Sequence, residues 1–153
     1  MNKTSIAWTE RTFNPVTGCT KYSAGCVHCY AETLTRRFPK AFPNGFDVTL
    51  HPERLDEPKH VKKPSMFFVC SMADLFHKDV PSEYIDRVMQ TIRDCPQHTF
   101  QILTKRTIRM RNYFLTRFVP RNESALINRP GVGRKGLWES NPWVVVYEFK
   151  LVK

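Results

Sequence analysis

The chain has 153 residues and a mass of 18.0 kDa, which suits one ordinary domain and excludes a complete eight-fold α/β barrel of about 250 residues. Its 41% hydrophobic and 25% charged residues are typical of a folded protein. The sequence contains no apolar stretch of the roughly 18 residues that a membrane helix needs, and no signal-peptide block follows Met1. We therefore expect a cytoplasmic protein that does not embed in membranes.

The charge is strongly basic, because 24 Lys and Arg residues against 14 Asp and Glu residues give a formal net charge of +10. Such an excess favours binding to polyanions, nucleic acid above all, since Lys and Arg neutralise phosphates and release counterions. A basic surface that only keeps the protein soluble would have the same composition. Charge alone leaves both interpretations open, and it does not indicate an oligomeric state.

Apolar periodicity predicts alternating strands and helices. In the first helix, Tyr30, Leu34 and Phe38 share one apolar stripe. In chain order the predicted elements are a strand at Ser5–Trp8, a helix at Tyr30–Phe38, a loop at 42–64, a strand at Met66–Ser71, a helix with Pro81 in its first turn that ends before Pro96, a strand at Thr99–Thr104, a helix at Ile108–Phe118 and a strand at Trp143–Phe149.

Three of the predicted strands are each followed by a helix. This order indicates parallel strands joined by right-handed helical crossovers, so the predicted fold class is α/β. Three or four such units would form either a partial, truncated TIM-barrel-like structure or a small open sheet, and both architectures stay open at this point.

Three of the five cysteines, Cys19, Cys26 and Cys29, lie within eleven residues. An odd number of cysteines without a secretion signal argues against a disulfide framework, whereas closely spaced thiolates bind zinc or iron tightly. A structural zinc ion would need a fourth ligand. An iron–sulfur cluster held by three cysteines would leave one iron free for S-adenosylmethionine in radical chemistry. Reduced thiols that bind nothing are the third interpretation.

Two further polar segments follow the second and third strands of the predicted parallel series. Because working residues of parallel α/β folds lie at the carboxyl ends of strands, we expect both segments to converge with the cysteines on one rim. There Asp74 and His77 would act as general acid and base or as metal ligands, the alternative being a helix cap and a surface histidine. Lys105 and Arg106 would hold the phosphate or carboxylate of a cofactor or substrate.

The helix at 108–118 is basic, and no acidic residue lies between Thr104 and Asn122. We expect Arg109, Arg111 and Arg117 to form an exposed face of this helix. Such a face would contribute to nucleic-acid binding if the basic charge serves that purpose.

Six blocks of sequence are distinctive: Ile6–Thr9, Thr12–Cys19, Gly25–Glu32, Phe46–Leu55, Ser71–His77 and His98–Arg106. Together they resemble the phage protein gp-thirty-seven/gp-sixty-eight family, a domain of unknown function, over about residues 4–118. The resemblance implies a barrel of the radical-S-adenosylmethionine type with Cys19, Cys26 and Cys29 as cluster ligands. The Cys-x(6)-Cys-x(2)-Cys spacing departs from the usual Cys-x(3)-Cys-x(2)-Cys loop.

We therefore divide the chain into a family-like domain at residues 1–118 and a divergent tail at residues 119–153. The tail departs from the strand-helix series of the resembled family. This departure predicts a truncated or frame-shifted gene product, or a fragment. Such a chain would keep its cysteine rim, and whether it is an active enzyme stays open.

Two functions are consistent with these features. The first is a phage-family protein that holds a metal or iron–sulfur centre through three cysteines and acts, with S-adenosylmethionine, on an anionic substrate such as nucleic acid. The second is a non-enzymatic nucleic-acid-binding module that is stabilised by zinc.

Overall fold

The structure is a computed structural model that describes residues 3–118 and the strand at residues 145–149. Three short 3-10 helices lie at Ala24–Cys26, Pro52–Arg54 and Glu57–His60. In chain order the described strands and α-helices are β1 (Arg11–Phe13), β2 (Val16–Thr17), α1 (Tyr30–Arg37), β3 (Thr49–Leu50), β4 (Met66–Val69), α2 (Ser82–Asp94), β5 (Thr99–Thr104), α3 (Thr107–Phe118) and β6 (Val145–Phe149).

The main sheet has the strand order β1-β4-β5-β6. Strands β1, β4 and β5 are parallel, and β6 pairs antiparallel with β5. The predicted α/β class with parallel strand-helix repeats is therefore confirmed. Over the part of the chain that the structure describes, the sheet is open and does not close into a barrel, as in the second of the two predicted architectures.

The hydrophobic core joins this sheet to α2 and α3. The apolar residues at helical spacing in α2, which are Ile85, Val88, Met89 and Ile92, are buried, the first two of them completely. Across the sheet, the rings of Phe67 in β4 and Phe100 in β5 stack with their centroids 5.3 Å apart. Burying a side chain of this size stabilises the fold by roughly 1.5–3 kcal/mol, so these contacts hold the parallel strands in register beneath the candidate site.

The predicted strand at Ser5–Trp8 is wrong. This segment forms a turn, in which the Thr9 amide donates to the Ile6 carbonyl at 3.2 Å, and β1 begins only at Arg11. The reason is that β1 has three residues, of which only Phe13 is buried, so it leaves no apolar period in the sequence.

Helix α1 ends one residue before the predicted boundary, but its predicted apolar stripe is not the face that it buries. Ala31 and Thr35 are buried, whereas Tyr30 is 52% and Phe38 is 48% exposed. The Tyr30 hydroxyl donates to the carbonyl of Ser71, which holds its ring at the protein surface.

Other boundaries differ by small amounts. The strand predicted at 66–71 ends at Val69, because the next residue, Cys70, has a φ of 59° and the chain turns there. The segment predicted as a loop at 42–64 contains β3, which pairs antiparallel with β2, and two 3-10 helices. Pro81 lies at the N-cap of α2 rather than in its first turn.

The region after α3 is described only in part. Strand β6 lies inside the strand predicted at 143–149, while the rest of the divergent tail predicted at 119–153 lies outside the described residues. Within the described ranges, no helix combines the length and the apolarity needed to cross a membrane.

Candidate functional site

The carboxyl ends of β1, β4 and β5 lie at one edge of the sheet, called the rim below. Three segments leave this edge: the cysteine loop (residues 19–29), the turn at residues 70–79, and Lys105 with Arg106. Arg106 contacts both other segments, because its Nη1 lies 3.6 Å from the Cys19 sulfur and 3.1 Å from Asp74 Oδ2. The segments thus meet at the rim, as the strand order predicts.

The entrance of the cysteine loop is held by Gly18. Its φ is +82°, and a Cβ atom at this position would lie 2.1 Å from the backbone oxygen of Asp47. The Gly18 amide donates to the carbonyl of Met72 at 2.9 Å, and the next amide, that of Cys19, donates to the carbonyl of Phe46 at 3.0 Å. Only glycine fits this position without displacing the backbone, so the loop starts from a fixed point beside the turn at 70–79.

Arg106 is the residue that joins the segments. It is only 9% exposed. Besides Asp74 and Cys19, its guanidinium donates to the carbonyl and the hydroxyl of Thr20, at 3.1 Å and 3.2 Å, and lies over the ring of Tyr22 at 5.1 Å from the centroid. A planar group with five N–H donors can serve all these partners at once, which an ammonium group cannot.

Asp74 is buried, and each of its carboxylate oxygens accepts two hydrogen bonds. Oδ1 accepts from the Phe76 amide at 2.9 Å and from the Thr104 hydroxyl at 2.7 Å. Oδ2 accepts from the Lys105 amide and from Arg106, both at 3.1 Å. This pattern gives the carboxylate a structural task, which is to hold the turn after β4 against the end of β5. Its catalytic role stays a prediction.

His77 is also fully buried rather than at the surface. Its Nδ1 accepts from the Asp79 amide at 3.2 Å, which places the ring proton on Nε2, and Nε2 lies 2.8 Å from the hydroxyl of Thr20. Burial, and next the charge of Arg106, lower the pKa of His77. The ring is therefore neutral near pH 7 and supports Thr20, while its role as an acid or base also stays a prediction.

The sulfur of Cys26 lies 3.3 Å from the ammonium nitrogen of Lys105. Burial opposes ionisation of this thiol, but backbone hydrogen bonds at Tyr22 and Ser23 and the charge of Lys105 outweigh it and lower the pKa to about 7. A large fraction of Cys26 is therefore thiolate at neutral pH, the form that binds metals and attacks electrophiles.

The other two cysteines of the loop have different surroundings. Burial raises the pKa of the Cys19 thiol, which lies 3.4 Å from the carbonyl of Thr20. Cys29 is the N-cap residue of α1 and lines a cleft of about 220 Å³ with His28 and Glu32. All five cysteines are free of disulfides. Among the residues that the structure describes, no three Cys, His, Asp or Glu side chains are grouped so as to hold a metal ion.

Two contributors to the rim, Thr20 and Tyr22, are absent from the sequence-based prediction. They lie in the spacer between Cys19 and Cys26, which the motif treats only as a distance. Their residue types are the only sequence signal for this role, because a threonine hydroxyl and a tyrosine ring inside a cysteine loop can contact the basic residues after β5.

The basic helix α3 is less exposed than predicted. Arg109 is half-buried and donates to the carbonyl of Val80, and Arg117 pairs with Asp86 at 3.2 Å. Arg111 and Arg117 are exposed, as expected. The predicted exposed face is therefore wrong for Arg109, because the turn after His77 packs against the start of the helix.

Comparison with known proteins adds a family and no activity. The family model described as a protein of unknown function (DUF5131) matches residues 3–147, and the chain belongs to that family. No curated protein and no solved structure matches the chain. The family description specifies no reaction, metal or ligand, so the resemblance to the phage protein family and to radical-S-adenosylmethionine proteins stays a prediction.

Proposed function

We propose that this member of the family binds an iron–sulfur cluster through Cys19, Cys26 and Cys29 and acts as an enzyme of the radical-S-adenosylmethionine type on an anionic substrate. One observation carries the proposal. The adjacent residues Lys105 and Arg106 bring cationic nitrogens to 3.3 Å from the sulfur of Cys26 and to 3.6 Å from that of Cys19. Two cysteines of the motif therefore lie at the rim, each next to a positive charge.

Positive charge at these sulfurs favours a metal centre. A thiol must lose its proton before it binds a metal, and a nearby cation stabilises the thiolate that results. Cys26, with its pKa of about 7, meets this requirement at neutral pH without a metal. Hydrogen bonds and charges around the sulfurs also tune the reduction potential of a bound cluster, which is a second use for Lys105 and Arg106.

The donor set fits an iron–sulfur cluster, since it consists of three free thiols on one loop. The sulfurs are not grouped within the described residues, so binding has to draw them together. Between Gly18 and α1 the loop contains only one short 3-10 helix, at Ala24–Cys26, and few backbone hydrogen bonds oppose such a change. When bound, a cluster with three cysteine ligands supplies one iron for S-adenosylmethionine and hence radical chemistry.

Asp74 and His77 enter this proposal as positioning residues. Asp74 holds Arg106 and the Lys105 amide, and His77 holds the Thr20 hydroxyl that Arg106 also contacts. Together they set the direction in which the two cations point at the cysteine loop. Loss of either is expected to weaken the centre through Arg106, without direct contact with a metal.

The test is anaerobic purification and reconstitution with iron and sulfide, followed by absorption spectroscopy and metal analysis. We expect broad absorption near about 400 nm and about four irons per chain. One tightly held zinc ion per chain, with no iron uptake, would instead support the zinc-stabilised nucleic-acid-binding module. A folded protein that takes up neither metal would exclude both functions.

Matched cysteine variants make the result specific. Cys19→Ser, Cys26→Ser and Cys29→Ser should each lose most of the iron. Cys95→Ala removes a buried cysteine that lies after α2, outside the rim, and should retain the iron of the unmodified chain. Equal iron content in all four variants would mean that the metal is bound nonspecifically.

A further inference from the structure

An open pocket of about 390 Å³ lies between the cysteine loop and the start of α3. Its volume falls in the range of small-molecule sites, roughly 300–1,000 Å³. Four cations line it, and among the described residues none of its lining side chains is acidic. Its lining includes the side chains of Lys21, Tyr22, Lys78, Arg106, Ile108 and Arg109. This pocket is called the basic pocket.

We propose that the basic pocket binds a nucleotide, either free or as part of a single strand, with its phosphate on the cations and its base on Tyr22. The role of this pocket as the substrate site of the enzyme rests on the proposed function. Nucleotide binding by itself does not, because it needs no metal.

Tyr22 provides a surface for the base. Its side chain is 54% exposed, and one face of its ring is covered by the guanidinium of Arg106. A ring that is supported on one side and accessible to solvent is suited to stacking with a flat base, since every base has a π-face. Ile108, which is 69% exposed at the first turn of α3, adds apolar surface at the same pocket.

Arg109 provides a donor for the phosphate. Its Nη2 donates to the carbonyl of Val80, but its Nη1 is buried and has no hydrogen-bond partner among the described residues. A buried N–H group without a partner costs about as much free energy as a lost hydrogen bond. Rotation of the guanidinium towards a phosphate in the pocket would bring this N–H to an anionic oxygen and recover that cost. The N-terminus of α3 adds partial positive charge at the same place.

Both lysines already lie near a carboxylate, that of Asp79, which is exposed, or that of Glu32, which is mostly buried. Lys78 contacts Asp79 at 2.8 Å, and Lys21 lies 3.6 Å from Glu32. The pair of Lys78 with Asp79 is a surface pair and therefore weak, so an incoming phosphate can compete for this ammonium group. The Lys21 side chain is 58% exposed, so its ammonium group is also accessible to a phosphate. The side chain of Lys78 is 75% exposed, so it can be replaced without disturbing the core.

The binding test uses thymidine monophosphate by calorimetry and a labelled oligothymidylate by fluorescence anisotropy, with inorganic phosphate for comparison. We expect Tyr22→Ala to weaken nucleotide binding by about fivefold or more, the loss of one stacked base. Lys78→Gln should weaken it by roughly two- to fivefold. Arg111→Gln removes one exposed charge of α3 outside the pocket and should change the affinity less than about twofold.

Each outcome has a defined meaning. Equal losses in Lys78→Gln and Arg111→Gln, or an unchanged affinity in Tyr22→Ala, would overturn the proposal, because binding would then depend on general basic charge. Inorganic phosphate binding as tightly as the nucleotide would do the same. Tighter binding of the oligomer than of the mononucleotide identifies a strand as the ligand, and the reverse order a free nucleotide. Repeating the titration with metal-free Cys29→Ser separates this result from that of the metal centre.

Discussion

Replacement of Asp74 by alanine is the sharpest test of the structure at the rim. The carboxylate accepts four hydrogen bonds, and its ion pair with Arg106 has an N–O distance of 3.1 Å with the side chains 10% and 9% exposed. Alanine removes every acceptor. The guanidinium of Arg106 would then be a buried cation without its carboxylate, and two backbone amides would lose their partners.

The expected size of the effect follows from this geometry. Removing one partner of a buried ion pair costs about 3–5 kcal/mol, because the other charge stays buried. The near-complete burial of both groups means that solvent screening reduces this value little. We therefore expect Asp74→Ala to lower the free energy of unfolding by about 4 kcal/mol, a large share of the roughly 5–15 kcal/mol of an ordinary domain.

The assay is urea unfolding, followed by far-ultraviolet circular dichroism, in a double-mutant cycle with Arg106→Met. The double variant should be more stable than the sum of the single losses predicts, since it leaves no unpaired buried charge. Asp56→Ala is the control, because Asp56 forms an exposed ion pair with Lys59 and its loss should change stability little.

Two results would refute this reasoning. If Asp74→Ala unfolds at nearly the urea concentration of the unmodified chain, Asp74 does not hold the rim together. Strictly additive losses in the cycle would show that Asp74 and Arg106 do not act as a pair.

Two further predictions concern pH. Cys26, with its pKa of about 7, should react with iodoacetamide at half its maximal rate near that pH, and Lys105→Met should move this midpoint to higher pH. Burial raises the pKa of Cys19, so this thiol should react only at higher pH. Equal midpoints for the two thiols, measured by peptide mass spectrometry, would contradict the assignment. Burial lowers the pKa of His77 in the folded state, so the unfolded chain binds a proton at this histidine before the folded chain does. The contribution of neutral His77 to the free energy of unfolding is therefore complete above about pH 6.5, and it is lost as the pH falls from there through the pKa of the folded state. Urea midpoints at about pH 7.5 and about pH 5.5 should therefore differ less in His77→Gln than in the exposed control His60→Gln, and equal differences would show that His77 is not the group that titrates.

The parts of the fold that the sequence predicts well are those with a strong local signal. Helix α2 has buried side chains at helical spacing over its whole length, and the predicted limits of β5 are the observed ones. Strand β1 has no such signal, because its position depends on pairing with β4, more than fifty residues later in the chain. Local periodicity cannot detect a pairing of this kind.

The candidate site also has parts that the sequence predicts and parts that it does not. The convergence of three segments at the rim follows from strand order alone, and the structure brings them together. The partners of individual atoms do not follow from strand order, because contacts such as that of Arg106 with Cys19 depend on how each loop returns to the sheet. Strand order therefore places Asp74 and His77 at the rim, as acid and base or metal ligands or else as a helix cap and a surface histidine. The structure adds that both lie in a buried hydrogen-bond network, and their catalytic role stays a prediction.

Replacing Arg106 cannot distinguish the metal centre from the nucleotide site, since this residue contacts both proposed sites. It contacts the sulfur of Cys19 and also lines the basic pocket, so its loss would weaken a metal centre and a nucleotide site together. Lys78 and Cys29 can separate them, because Lys78 lines the basic pocket and Cys29 lines the other cleft. If both ligands bind, their shared contact with Arg106 gives a physical route for each to change the affinity of the other, and by thermodynamic necessity the two changes are equal. Nucleotide titrations of the iron-loaded and iron-free protein measure that coupling directly.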